Sequence, residues 1–355
     1  MVPFDCWSIT LSAVGTVFLK DGFNTTDDYK ALIKAIFEEF NLDQSQYEIA
    51  KYTPSYINGK FKVWARFERK KFRPYDEEEI VARYETMLSS LGSIKMSEIK
   101  QVDSDNILVI NLADVHWNKL PFLSMDGEYL EKFENTIYEK LNEVISYSKK
   151  FPISRAVITI GHDFFQTNDG RGTTKKGTPV SHIMEYKDMF DSGVRILSRC
   201  VHMVAQHYMV DAYYVLANHD NDAGWHASRE LKLAYKNVPH VNFVVDKIPF
   251  HYVEWGSTLV ELIHENIKGG KSSSNMSVTA REAWGRTKYH YSIGGHLHGE
   301  YTLQEKNGIV TMGSRALSDT DEWHYLEGYL GNIRGIQAYV FNKDAGNILT
   351  INANL

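Results

Sequence analysis

The residues best able to do chemistry in this chain sit in one recurring place, directly after short apolar runs. "ILVINLA" is followed by Asp114-Val115-His116, "AVITIG" by His162-Asp163, and "AYYVLA" by Asn218-His219-Asp220. "TLVELI" is followed by His264, and "YSIGG" by His296-Leu297-His298, where strand alternation would point both imidazoles the same way. Taken singly, each is unremarkable: an Asp-x-His or Asn-His-Asp at a strand end usually makes a turn or a helix cap. A lone His264 reads as a hydrogen-bonded, half-buried histidine. Together the set has a chemical meaning. Carboxylates, an amide oxygen and imidazoles without a thiolate suit Mn²⁺, Fe²⁺ or Zn²⁺ better than a structural zinc. The set is too large for one ion, and a carboxylate can bridge two. A pair of ions about 3.5–4 Å apart can clamp a phosphoryl group during in-line attack.

The elements that must position these groups are legible in the same pattern. The runs from residue 107 onward are short and rich in β-branched residues, as expected of strands buried on both faces. "GIVTMG", "QAYVF" and "ILTI" add three more. Helical periodicity over residues 127–150 and 183–207 separates the first three runs, giving strand, helix, strand, helix, strand. The closer spacing of the later runs predicts a second, more antiparallel sheet. The expected fold is α/β, a layered β-sandwich flanked by helices, over residues 104–355. In open α/β sheets, ligands gather at the carboxyl ends of strands, which is where the polar groups fall.

Residues 1–100 read as a separate small α+β domain. "TTDDYKALIKAIFEEF" is an amphipathic helix with Thr26 as its N-cap, and "DEEEIVARYETMLSSLG" is a second, with an Asp76–Glu79 capping box. Asn58-Gly59 marks a hairpin. Its second strand places Lys60, Lys62, Trp64 and Arg66 on one face, a mixture suited to single-stranded nucleic acid. A solvated edge strand protected by charge is the alternative. The polar "KMSEIKQVDSDN" is the expected boundary.

The order Asp-x-His, Gly-x-Asp, Asn-His-Asp, His, Gly-His-x-His resembles that of the calcineurin-like metallophosphoesterases, over residues 107 to about 350. The resemblance implies that Asp114, His116, Asp163 and His298 hold one metal. Asp163 then bridges to a second, completed by Asn218, His264 and His296, and Mn²⁺ is the expected ion at both sites. It further implies that His219 stabilises the transition state or protonates the leaving oxygen, with Asp220 orienting its ring. "GHDFFQTNDGRGTTKKGTP", "AREAWGRTKYHYSIGGHLH" and "SRALSDTDEWHYLEGY" are similar to stretches of phage-encoded metallophosphoesterases with a small N-terminal domain. The chain also departs from the wider family. His162 stands inserted before the bridging Asp163, and Ala217 replaces the usual glycine before Asn218. Gln166 occupies a position where the DNA-repair exonuclease branch carries histidine. His162 reads either as a stand-in for that histidine or as a solvent-facing or sheet-packed residue.

The substrate implied is a phosphoester, with DNA, RNA or a nucleotide preferred. Arg171, Lys175 and Lys176, in the polar loop after Asp163, are the candidate phosphate grips, and Lys268 and Lys271 lie in another loop. Trp225 and His226 are placed to stack on a base, or else to pack on a helix. Three functions stay open: a phosphodiesterase acting on nucleic acid or nucleotides, a phosphomonoesterase acting on a protein or small molecule, and a non-catalytic metal scaffold. A net charge of −6 argues against a generally basic nucleic-acid binder but allows a local groove. Two cysteines, Cys6 and Cys200, exclude a disulfide framework and a Cys-based zinc site. The absence of a long apolar run excludes a membrane span. The expected location is the cytoplasm, that of the host for a phage-encoded protein, and a homodimer is an open possibility.

Overall fold

The structure is a computed structural model of the 355-residue chain. It describes residues 10–17, 34, 37, 47–57, 60–69, 94, 96–122, 128–264, 275–299, 301–302 and 307–355. The chain divides into two compact units, Met1–Tyr75 and Asp76–Leu355.

In the first unit, β1 (Thr10–Val17), β2 (Tyr47–Ile57) and β3 (Lys60–Arg69) form an antiparallel sheet in the order β1-β3-β2. Ile57 pairs with Lys60, so the strands are separated by the two-residue spacing expected of Asn58-Gly59. The cationic strand is central, paired on both sides, which overturns the edge-strand alternative. The telling signal is β1, an apolar run far enough upstream to pair with β3. Of the two helices expected here, Lys34 and Phe37 are helical; the rest of both lies outside the described residues.

The second unit is mixed α/β, with two mixed sheets flanked by helices. Its first sheet uses β4 (Asn106–Asn111), β5 (Arg155–Gly161), β6 (Met209–Val215), β7 (Val241–Val244), β13 (Gly335–Asn342) and β14 (Gly346–Asn354). The order is β14-β13-β4-β5-β6-β7, with β4 to β7 parallel and β13 and β14 antiparallel. The second sheet uses β8 (Phe250–Trp255), β9 (Thr258–Ile263), β10 (Tyr289–Gly294), β11 (Tyr301–Thr302) and β12 (Val310–Gly313), in the order β11-β12-β10-β9-β8. Two of its four pairings are antiparallel, against two of five in the first sheet, and β9, β10 and β12 run parallel at its centre. Two short helices, α4 (Met276–Thr279) and α5 (Arg281–Arg286), lie in the connection between β9 and β10, and such crossovers are what parallel neighbours require.

Alternation along the buried strands assigns each face. Ile107 and Val109 on β4, Val157 on β5, and Tyr339 and Phe341 on β13 share one apolar cluster with Val260 and Leu262 on β9 and Ile293 on β10. The opposite faces, with Leu108, Ile110, Ile158, Ile160, Ala338 and Val340, join the main core. That core is completed by α1 (Tyr129–Ser148), α2 (Tyr186–Ala205) and α3 (Asn221–Ala234). Helices α1 and α2 fall inside their expected spans. Helix α3 has no counterpart in the sequence pattern, because its buried face is built partly from the small residues Ala223, Gly224, Ala227 and Ser228 and shows little apolar periodicity. Trp225 lies on this helix and packs against the main core. Among the described residues, no helix is long and apolar enough to cross a membrane.

Candidate metal centre

The five polar groups do follow the ends of five strands, β4, β5 and β6 of one sheet and β9 and β10 of the other. What aims them is backbone conformation. Eight described non-glycine residues have positive φ, and six are Asp114, His116, His162, Asp163, His296 and His298. L-residues adopt this region at an energetic penalty and do so where the surroundings over-determine them. Here the surroundings are interlocking loops. The backbone N–H groups of Asp114 and His116 donate to the carbonyls of His162 and Asp163, both at 3.0 Å. Gly161, with φ 70, begins a left-handed run that continues through Asp163.

Three groups of side chains have ligand atoms within 4.8 Å of one another: Asp114, His116 and His298; His116, Asp163 and His219; and Asp163, His264 and His296. Ligands bound at about 2.1 Å to one ion stand roughly 3.0–3.4 Å apart. The Nε2 atoms of His116 and His298 are 3.0 Å apart, and that of His264 lies 2.9 Å from Asp163 Oδ2 and 3.2 Å from Asn218 Oδ1. Asp114 Oδ1 is buried and makes no hydrogen bond among the described residues, yet three imidazole Nε2 atoms face it at 3.6–4.0 Å. A buried carboxylate oxygen without a partner is costly. Its position fits a cation-holding role, and so does the donor set of oxygens and imidazole nitrogens. The other oxygen, Oδ2, accepts the backbone N–H of His296 at 2.7 Å.

The electrostatics without a cation are strained accordingly. Burial pushes the Asp114 carboxyl up to about 7, with the Asp163 charge adding to it against the pull of His264. Burial also opposes ionisation of Asp163, but the imidazoles of His264 and His219 and the hydrogen bonds it accepts outweigh this and hold it well below the usual carboxylate range. For His264, burial disfavours the cation, while Asp163 overcomes that and raises it to about 9. Burial and neighbouring imidazoles keep His116 and His298 neutral.

All seven expected ligands therefore come together, though strand alternation is not what aligns the last two. His296 and His298 are both left-handed residues beyond β10, and they serve different groups: the His296 ring lies 5.3 Å from that of His264, and His298 lies 4.9 Å from His116. Asp220 also departs from expectation. Its carboxylate accepts the backbone N–H groups of Asp163 and Phe165, each at 3.2 Å, and so braces the loop that carries Asp163. The His219 ring is instead held by Gln166, whose carbonyl oxygen accepts from Nδ1 at 2.9 Å. Burial and the Asp163 charge raise the Asp220 carboxyl to about 8.

The candidate phosphate grips Arg171, Lys175 and Lys176 are exposed. Arg171 pairs with Asp169 in its own loop, and Lys175 ties that loop to the site through its backbone, whose N–H donates to the Asn218 carbonyl at 2.9 Å. Lys268 and Lys271 lie outside the described residues. His226 is exposed on α3 beside Trp225, over whose ring Arg229 and Lys247 are placed.

Several neighbours of the site are not evident in the sequence. Buried Lys119 pairs with Asp321 at 3.4 Å, and Asp321 caps α6 (Glu322–Leu326) by accepting the His324 backbone N–H. The same carboxylate holds His324 Nδ1 at 2.6 Å, and the His324 ring stacks on His298 at 5.0 Å. The Asp-x-x-His spacing of a helix cap is the available signal. Asn111 is hidden inside an apolar strand, and His162 is neither solvent-facing nor merely packed: it is buried and bonded to His264. No protein-family model matches the chain, and no curated protein matches it in sequence.

Proposed function

We propose that this chain is a dinuclear metallophosphoesterase with a calcineurin-like catalytic domain, acting as a phosphodiesterase on nucleic acid or nucleotides. The observation that carries the reading is the position of Asp163, which groups with His116 and His219 and separately with His264 and His296, while the unpartnered oxygen of Asp114 faces His116, His264 and His298. Asp114, His116, Asp163 and His298 would hold one ion, and Asp163, Asn218, His264 and His296 the other. When bound, divalent ions, preferably Mn²⁺ with Fe²⁺ or Zn²⁺ as alternatives, supply Lewis-acid polarisation of the phosphoryl group and a nucleophile at neutral pH.

The protein's own contribution is proton handling and orientation. The Gln166 carbonyl can only accept, so His219 carries a proton on Nδ1. Its Nε2 is then the atom that, protonated, would deliver a proton to the leaving oxygen. The His219 backbone N–H donates to Asp163 Oδ1 at 2.7 Å, which ties the acid to the bridging carboxylate and fixes their separation.

A base-bearing substrate is favoured by the surface beside His298. Trp323 is 59% and Tyr329 58% exposed, and their rings stack 5.6 Å apart next to His324. Exposed aromatic faces are platforms for unpaired bases. The test is hydrolysis of bis-p-nitrophenyl phosphate beside p-nitrophenyl phosphate, with protein stripped of metal and refilled with Mn²⁺. Metal-dependent diester cleavage is expected. Monoester cleavage alone would move the assignment to a phosphatase, and silence on both with metal bound would favour the scaffold.

A further inference from the structure

Resting on the dinuclear reading, we propose that His162 is a positioning residue: through a hydrogen-bond chain that begins at a backbone carbonyl, it keeps the second proton of His264 on Nδ1 and so reserves Nε2 as a ligand atom. The chain is read from donors and acceptors. The Gly294 carbonyl oxygen can only accept, and it lies 3.2 Å from Asn111 Nδ2. This fixes the Asn111 amide, because the flipped orientation would set two oxygens against each other. Asn111 Nδ2 also donates to Ser314 Oγ at 2.6 Å.

The Asn111 oxygen therefore faces His162. It accepts from Thr159 Oγ1 at 3.1 Å, a hydroxyl that itself accepts the Leu112 backbone N–H at 2.8 Å. His162 Nε2 stands 3.0 Å from the same Asn111 oxygen, so Nε2 carries the proton. His162 is fully buried, and its two ring nitrogens meet an amide oxygen and an imidazole, not a carboxylate, so the ring carries that one proton. Its Nδ1 is then a lone pair, 2.9 Å from His264 Nδ1, which must donate. What remains of His264 is Nε2, directed at Asp163 Oδ2 and Asn218 Oδ1.

Ligating histidines commonly give their second N–H to a carboxylate, a carbonyl or water, and losing that partner costs roughly 10–100-fold in metal affinity. Here the partner is a neutral imidazole, which orients the ring without adding a negative charge to a pocket already holding Asp114, Asp163 and Asp220. This gives a use to the residue that interrupts the expected Gly-Asp motif.

Two measurements test it. Long-range ¹H–¹⁵N spectra of ¹⁵N-histidine-labelled wild-type protein, first metal-free and then with Zn²⁺, should show His162 as the neutral Nε2–H form throughout. With Zn²⁺, His264 should keep a proton on Nδ1 and coordinate through Nε2. A His162 proton on Nδ1, or His264 coordinating through Nδ1, overturns the proposal. Calorimetric titration with Zn²⁺ should show one of two sites weakened roughly 10–100-fold in His162→Phe and restored to within a few-fold in His162→Gln, whose amide can donate to Asn111 and accept from His264. Equal affinities in wild type and His162→Phe would also overturn it. If wild-type protein takes up no metal while His162 shows the Nε2–H form, the dinuclear reading falls and the hydrogen-bond order stands. Uptake of two ions with the opposite tautomer leaves the dinuclear reading standing and removes the role of His162.

Discussion

His219 and Asp163 are joined by one short hydrogen bond, from the backbone N–H of the first to the carboxylate of the second, yet the proposed function gives their side chains separable tasks. Because that bond uses backbone, His219→Ala leaves it intact and removes only the ring held by Gln166. Metal content should stay at the wild-type level while turnover falls by about two to four decades, measured as metal per chain beside kcat on the activated diester. Asp163→Asn removes the charge that the two proposed ion sites would share. Uptake of both ions should weaken together; two ions bound at full occupancy would refute the bridging role. Asp220 invites a third substitution. As its oxygens accept two backbone N–H groups of the loop that carries Asp163, Asp220→Ala should lower stability and metal affinity together, whereas a residue orienting His219 would affect turnover first.

At the scale of elements, the centre consists of strand ends turned inward by left-handed loops. Gly295, between β10 and the His296–His298 pair, shows how little room this leaves. A Cβ there would lie 2.5 Å from Asp114 Oδ2 and 3.0 Å from the Cβ of Ala113. Gly295→Ala should therefore displace Asp114 and weaken the proposed ion site it forms with His116 and His298, seen as a lost or weakened site in metal titration of a still-folded protein. Helix α6 offers a separate prediction. Trp323 stacks on Tyr329, is exposed, and neighbours His324, which leans on His298. Trp323→Ala should raise KM roughly 5- to 150-fold for a single-stranded oligonucleotide, the equivalent of about 1–3 kcal/mol for one stacked base. KM for bis-p-nitrophenyl phosphate, which has no base, should stay unchanged. An equal change for both would place Trp323 in structural support instead.

Across the whole molecule, the site exists because two sheets present their motifs to one another. The cluster that joins them includes Val260, Leu262 and Ile293, each buried, on the strands that lead into His264 and His296. Leu262→Ala should cost about 2–5 kcal/mol, read from urea unfolding, and should weaken metal binding as well. The concentration of acids also gives the metal-free protein an uncommon pH profile. His264 is raised from 6.5 to about 9, so the stability it contributes is complete below 6.5 and is lost as pH rises through about 9. Asp114 and Asp220 are raised to about 7 and 8, so the folded state binds more protons than the unfolded one up to those values, and stability falls with rising pH there too. Metal-stripped protein should melt at progressively lower temperature from pH 6.5 to 9, and Mn²⁺ should remove most of that slope. A melting temperature that rises over this range without metal would refute the assignment.

By itself, the sequence determined which residues meet. Buried strands must end somewhere, and polar, metal-capable side chains placed just past five such ends have few other uses, so Asp114, His116, Asp163, Asn218, His264, His296 and His298 are legible in the chain alone. The two long helices and the strand runs are legible for the related reason that periodicity records burial. Tertiary structure alone decided the rest. Which imidazole joins which group depends on left-handed backbone at Asp114, His116, His296 and His298, a conformation that residue type does not announce. The partners of His219 and Asp220 are set by how the loops after β5 and β6 interlock, and the central position of β3 by the return of β1. His162 depended most on tertiary structure: its meaning lies in Asn111, 51 positions away, and His264, 102 positions away. Hydrogen-bond direction between such distant residues is fixed only when the chain has folded.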